Sequence, residues 1–400
     1  MLENEHIVCI SYSTWEGPYT KSVVQLMSLL ALNNRVLFIE YPFTWKDIYT
    51  TIKGRQNAPI AQMLGFKNSL TTKRASENTF VDHCVLPPLL PMNMIQNEAL
   101  YKLFLKINTC IYKRSIKKAL KKLKWENPIN IVAYNPIFGE SLWGKLPEKA
   151  NIYYCYDGYI KDRRGLRAWE ADLRYSKLTD GIIVTSDYLK EQKKLYNSKV
   201  TTVKNGVDFE LFNRAAKTEV NSGQRKKIGY IGSIDQRFDL EMVEFSVRNL
   251  PKFDFEFIGD IRNLQVKNVL EKFPNVSFLP PVKPYEVPEI LRRCDVGIIP
   301  YLCTEINKNV YPLKINEYLA VGVPVVITNF ANLPEFTDYV SFASSKEEFR
   351  DSLISGIETD SLEKINQRID FARSNSWKSR ANLFSEEIEN FIRIKSTKIK

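Results

Sequence analysis

Apolar residues along this chain fall into short continuous runs separated by longer amphipathic stretches. His6–Ser11 (HIVCIS) and Arg35–Glu40 (RVLFIE) are runs of the kind needed by parallel strands buried on both faces. Between them, Lys21–Leu32 places its apolar residues at helical spacing, so the chain opens as a βαβ unit. Residues 45–98 lack such regularity, and Pro87, Pro88 and Pro91 interrupt any long element there. Strand-like runs follow at Ile129–Tyr134, Ile152–Cys155 and Gly181–Thr185, with a helical pattern at Trp169–Lys177. A second series starts at Lys227. Its strands are Ile228–Ile231, Phe255–Ile258, Val276–Leu279, Val296–Pro300 and Val323–Thr328, and its helices lie near Leu240–Asn249, Pro288–Arg293 and Ile315–Val321. Two successive βα series predict an α/β protein of two doubly wound domains facing across a cleft, with ligands at the carboxyl ends of the strands. The Asn205–Asp208 turn and the polar stretch Asn221–Gln224 set the boundary, giving domains over 1–215 and 226–372.

Composition narrows the chemistry. Six cysteines form no C-x-x-C pair, and only His6 and His83 are present as histidines. A histidine-built metal centre and a Ser-His-Asp hydrolase are therefore disfavoured. No apolar run is long enough to span a bilayer, and the acidic start Met1–Glu5 does not read as a secretory signal, so a cytoplasmic protein is expected. The formal charge of +11 is uneven: residues 1–200 carry 29 Lys and Arg against 18 Asp and Glu, whereas the rest balances. Such asymmetry points to an anionic partner for the first half, or to a merely solvated face. The densest block, Tyr101–Trp125, holds nine basic residues and no acidic one. Its apolar residues, among them Leu103, Phe104, Ile107, Ile111 and Ile116, recur at helical spacing. One or two amphipathic helices here can lie on anionic lipid, or pack on a sheet with their lysines in water; both can hold at once.

Four loops carry candidate chemistry. Gly232 and Ser233 end a strand before a helix, where backbone N–H groups can approach a phosphate, and Arg237 adds a charge. Glycine at such a turn is also common for steric reasons alone. In Pro312–Val326, Lys314 and Glu317 share the first turn of a helix. Lysine there can hold a diphosphate and glutamate can accept two ribose hydroxyls. Asp157, at the end of Tyr153–Tyr159, is a candidate general base amid aromatic residues whose desolvation would raise its pKa; an Asp-Gly turn is the alternative. Glu16, Gly17 and Thr20, in the loop after the first strand, offer hydrogen bonds to a sugar, though Gly17–Pro18 also reads as a plain turn. No D-x-D sequence occurs, so diphosphate neutralisation without a metal, by lysine and helix starts, is expected.

With these motifs the chain resembles a GT-B glycosyltransferase of bacterial surface-polysaccharide synthesis, close in pattern to the teichuronic-acid-type family and the xanthan-type glucuronosyltransferase. The resemblance runs from Trp15–Glu16–Gly17 to Asn375–Ser376–Trp377 and is strongest at Pro312–Val326, then at Val203–Asp208. It implies two Rossmann-like domains, an acceptor in the first and a UDP- or GDP-sugar in the second. A C-terminal helix over 376–400 would cross back to the first domain. Gly232, Ser233, Arg237, Tyr301, Leu313, Lys314 and Glu317 would then bind the donor, and Glu16, Gly17 and Thr20 the acceptor, a glycan or lipid-diphosphate-linked glycan. Asp157 falls where inverting members keep their base. Retaining relatives carry two glutamates separated by seven residues, and the first would fall at Asn309; this favours inversion. The expected partners are the nucleotide sugar, the acceptor and an anionic membrane surface bound through residues 101–125, with no nucleic acid and no cofactor. The expected location is the inner face of the cell membrane.

Overall fold

The computed structural model describes residues 2–17, 21–159, 161, 165–223 and 225–397. They divide into two compact units, Met1–Lys204 with Ala381–Lys400, and Asn205–Arg380. In the first unit the strands are β1 (His6–Ser11), β2 (Arg35–Ile39), β3 (Leu70–Arg74), β4 (Phe80–Cys84), β5 (Ile129–Ala133), β6 (Ala150–Cys155), β7 (Gly181–Val184) and β8 (Val200–Thr202). They form one sheet in the order β3-β4-β2-β1-β5-β6-β7-β8. All neighbours are parallel except β3 and β4, which pair antiparallel at the edge. From β1 the chain winds outward through β2 and β4, then returns to the other side of β1 at β5, which creates a switch point between β1 and β5.

Val8, Ile10, Leu37, Ile39, Val132 and Ile182 fill the centre of this sheet, each buried aliphatic side chain contributing roughly 1.5–3 kcal/mol. The basic block folds as a single helix, Glu98–Leu123. The Asn97 side chain caps it by accepting from the Leu100 N–H, Glu98 lies in its first turn, and Lys121 and Lys122 lie in its last, all favourable to the helix dipole. Its buried face is Tyr101, Asn108, Thr109, Tyr112, Ile116, Ala119 and Leu120. Leu103 and Ile107 do not join that face. With Leu100 they stand outward at 42% (Leu100), 52% (Leu103) and 39% (Ile107) exposure, aligned at i, i+3 and i+7.

The second unit is a fully parallel sheet of β9 (Lys227–Ile231), β10 (Asp254–Ile258), β11 (Val276–Leu279), β12 (Val296–Ile299), β13 (Val325–Thr328) and β14 (Val340–Ala343). The order β11-β10-β9-β12-β13-β14 puts its switch point between β9 and β12. The loops that leave β9 and β12 are those that begin at Gly232 and Pro300, so this topology brings the glycine loop and Tyr301 to one crevice. The helix Trp377–Thr397 begins in the second unit and ends in the first. Its Phe384 packs edge-on to Tyr154, and Phe391 lies where a side chain on Gly181 would stand.

Candidate active site

The site of the second unit is built around Gly232. Its φ of 143° is open only to glycine, and a Cβ there would collide with the Lys314 side chain. The Gly232 N–H donates to the Ile258 carbonyl at 2.8 Å and the Ile234 N–H to that of Asp260 at 2.9 Å, so the loop is pinned along β10. The next helix, Leu240–Asn249, starts seven residues past Ser233, and its N-terminus is occupied by Asp239, which accepts from the Met242 N–H. The helix start beside the glycine loop is instead that of Leu313–Val321, since the Lys314 side chain lies against Gly232.

Lys314 Nζ stands 3.4 Å from the Tyr301 hydroxyl and 5.6 Å from the centroid of the Tyr230 ring. Tyr301 is buried, and the Arg237 guanidinium lies over its ring at 5.3 Å. Arg237, expected to add a charge at this loop, has Asp235 as its ion-pair partner. It grips Asp235 through three bonds, Nε to Oδ1 at 3.1 Å and to Oδ2 at 3.2 Å, and an NH2 to Oδ2 at 2.7 Å. Burial pushes the Asp235 carboxyl up, but the Arg237 bonds together with the Lys314 charge hold it below its ordinary value. Glu317 is half-buried on the same helix as Lys314. Burial raises its carboxyl above the ordinary value, and the Lys314 charge offsets part of the rise. Leu313 opens the helix, also half-buried. A lysine, the orphan N–H groups of a helix start and a carboxylate short of donors form a set suited to a diphosphate and a diol.

This helix is held from behind by two segments singled out in the sequence. The Val207 N–H donates to the Asn375 carbonyl at 3.1 Å and the Trp377 N–H to that of Val207 at 2.9 Å. Gly206 lies so close to Trp377 that a Cβ would meet its backbone nitrogen at 2.7 Å. The Asn375 side chain then donates to Asn316 Oδ1 at 3.1 Å, deep in the core, next to Lys314 and Glu317 in sequence. Asn309, at the end of the turn Asn307–Asn309, donates to the Glu305 carbonyl at 2.9 Å.

In the first unit, Asp157 follows β6 and is exposed, not desolvated. The Gly158 N–H donates to its Oδ1 at 2.8 Å. Aromatic rings do gather close by: Tyr134 stacks on Tyr156 at 4.8 Å and on Tyr159 at 4.4 Å, and its hydroxyl donates to the Gly158 carbonyl at 3.2 Å. Glu16 is paired with Lys73 at 2.6 Å, whose hydrogen bond lowers the carboxyl below its ordinary value. Gly17 is exposed beside Lys21, and Thr20 lies outside the described residues.

Two features escaped the sequence. Tyr134, at the switch point after β5, holds φ at +48°, a conformation costing a bulky residue about 1–3 kcal/mol. Glu40 and His83 form a buried pair, Nε2 to Oε2 at 2.6 Å, and the same oxygen accepts from the Trp15 N–H at 3.2 Å. His83 Nδ1 is buried with no hydrogen-bond partner among the described residues. The strand end before Asn135–Pro136 was the available signal for Tyr134; nothing local marks the Glu40–His83 pair.

Comparison with known proteins bears on both units. Residues 225–357 match the family model described as glycosyl transferases group 1. A putative teichuronic acid biosynthesis glycosyltransferase of Bacillus subtilis (strain 168) is 38% identical over 169 residues. That match takes in 40% of this chain and 43% of the relative, less than half the length of either. Among solved structures, the α,α-trehalose 6-phosphate synthase of Burkholderia multivorans superposes with a TM-score of 0.68 at 12% identity, covering 100% of both chains. Sucrose-phosphate synthase from Thermosynechococcus elongatus gives 0.67 at 14% identity, over 98% of this chain and 100% of that one. An E. coli trehalose-6-phosphate enzyme structure bound with UDP-2-fluoro glucose gives 0.68 at 10% identity, over 97% of this chain and 99% of that one. At such identities the likeness is one of fold.

Proposed function

We propose that this GT-B protein, whose second unit carries a group 1 glycosyl transferase domain, moves a sugar from a UDP- or GDP-sugar to a hydroxyl of a glycan or lipid-linked glycan in cell-surface polysaccharide synthesis. The observation that carries the reading is the contact of Gly232 with Lys314 at the switch point of the second sheet, inside the matched domain. Lys314 and the N–H groups of its helix neutralise the leaving diphosphate as charge develops on it, which is where electrostatic stabilisation acts on the transition state. Glu317 accepts the ribose hydroxyls, and Tyr301, fixed under Arg237, completes the wall. Leu313 and Ser233 border the nucleotide and the phosphates.

The inverting, metal-independent form of the reaction is part of the proposal. It is supported by a lysine at the helix start, by the lack of any D-x-D sequence, and by Asn309 standing where retaining relatives place their first glutamate. Asp157 takes the acceptor proton, with Tyr134, Tyr156 and Tyr159 as the stacking surface for a sugar. Its exposure suits a group that meets acceptor and water alike. The first unit also approaches an anionic membrane surface through residues 101–125, at the inner face of the cell membrane, where lipid-linked acceptors are used. The outward Leu100, Leu103 and Ile107 among lysines support this, and no helix of the described residues is long and apolar enough to cross a membrane.

Thermal shift against a panel of nucleoside diphosphates tests the donor site. Stabilisation by UDP or GDP at millimolar concentration, without added metal, is the expected result. No stabilisation by any nucleotide, joined to no hydrolysis of any nucleotide sugar, sinks the enzymatic reading.

A further inference from the structure

A cavity of about 560 Å³ opens in the first unit between the segment from Gln62 to Leu70 and the helix Glu98–Leu123. Lys67, Arg114, Lys118 and Lys122 line it, and no carboxylate does. Arg114, Lys118 and Lys122 are four residues apart in succession, so they form a column on one flank of the helix. None of the four has an ion pair among the described residues. Like charges gathered without counterions repel one another, and a bound anion relieves that repulsion. The floor is different in character: Met63, Cys84 and Ala119 of the lining are buried, Leu70 is half-buried, and Phe66 is 80% exposed. A free phosphate uses only the cations. A phosphate esterified to a glycerol with acyl chains uses the floor and the exposed ring as well.

We propose that this cavity is a site for the phosphate-bearing headgroup of an anionic membrane lipid. The four cations hold the phosphate, and the apolar floor receives the first carbons beyond it. Leu100, Leu103 and Ile107, outward on the same helix, then enter the interface. The proposal rests on the membrane-binding part of the function above and gives it an address: a discrete site in place of a diffuse basic face.

The test compares two charge-matched variants of the full chain in co-sedimentation with phosphatidylglycerol vesicles, and with phosphatidylcholine vesicles as the neutral arm. One variant combines Lys67→Gln, Arg114→Gln, Lys118→Gln and Lys122→Gln; the other combines Lys102→Gln, Lys106→Gln, Lys113→Gln and Lys117→Gln. The cavity variant is expected to lose about 100-fold in partitioning to phosphatidylglycerol, and the control about tenfold or less. Equal losses overturn the site and leave a diffuse membrane contact standing. Wild-type protein that stays in the supernatant at low salt overturns the membrane reading itself, and the site with it. Inorganic phosphate supplies the third arm: thermal stabilisation of wild type by phosphate, absent in the cavity variant and without vesicle binding, assigns the cavity to a soluble phosphate and overturns the lipid. If the quadruple cavity variant does not fold, Arg114→Gln and Lys118→Gln singly, against Lys106→Gln and Lys117→Gln singly, carry the same comparison.

Discussion

The two units are made from one plan and put to different use. Each is a parallel sheet with a reversal of strand order at its centre, between β1 and β5 in the first unit and between β9 and β12 in the second. At the second reversal the backbone is pinned, a glycine admits a lysine against it, and Arg237 is held by Asp235. At the first, the carboxylate is exposed, the backbone is strained at Tyr134, and tyrosine rings make the surface. Residues 201–400 balance their charge; residues 1–200 carry the excess, much of it on a helix whose outward face is partly apolar. On the proposed function, one reversal would hold a ligand of fixed geometry and the other admit ligands that vary.

The contrast is sharpest at Asp157. Asp157→Asn is expected to lower turnover by about 10²–10⁴-fold while UDP- or GDP-dependent stabilisation stays at its wild-type level, because a general base acts on the acceptor. Near-normal turnover in this variant moves the base elsewhere, with Glu16 next in line despite its tie to Lys73.

Glu317 is the complementary case. Glu317→Ala is expected to weaken nucleotide binding by roughly 1.5–3 kcal/mol, read by calorimetric titration. Its raised carboxyl holds a proton more firmly in the folded than in the unfolded chain. The stability it contributes without nucleotide is therefore full below the unfolded pKa and is lost as pH rises through the folded one. Glu317→Gln should melt higher than wild type at neutral pH without nucleotide, yet bind nucleotide less well. In the wild type, nucleotide affinity should fall as pH drops through the same raised value. A pH-independent affinity separates Glu317 from the nucleotide.

The smallest effect concerns support, not contact. Asn375→Ala leaves the buried Asn316 Oδ1 without its donor, and a loss of about 1–3 kcal/mol is expected in chemical denaturation. If nucleotide affinity falls in proportion to far greater loss, the link from Asn375 into the helix Leu313–Val321 does more than stabilise it.

Sequence pattern reached the sheets well where strands are buried on both faces. β1 appears with the expected bounds, and so do the half-exposed edge strand Val276–Leu279 and the helix Leu240–Asn249. The edge of the first sheet was another matter: LTTKR and FVDHC, which form β3 and β4, mix polar and apolar residues without a clear period, since an edge pair is buried only in part. The helix expected from Ile315 begins at Leu313, directly after Pro312. At the site, residue types were legible but their partners were not. Arg237 has Asp235 two residues away, yet nothing in the spacing says that the pair closes on itself. Glu40 and His83 meet because β2 and β4 are parallel with Ile39 opposite Cys84, a register that neither strand announces.

The helix Trp377–Thr397 has a consequence for how the protein is made. Phe384 and Phe391 belong to the first unit, and the Leu2 N–H reaches the Ser385 hydroxyl. That unit cannot be completed when its sheet leaves the ribosome; it must wait for the intervening Asn205–Arg380 to be translated, about 9–35 s at roughly 5–20 residues per second. During that interval the groove that will seat Phe384 and Phe391 is open, while the second unit already has all of its residues. The order of maturation is thus the reverse of the order of synthesis. A nascent chain halted before Ala381 should display a finished second unit and an unfinished first one, a state in which chaperones have a defined target.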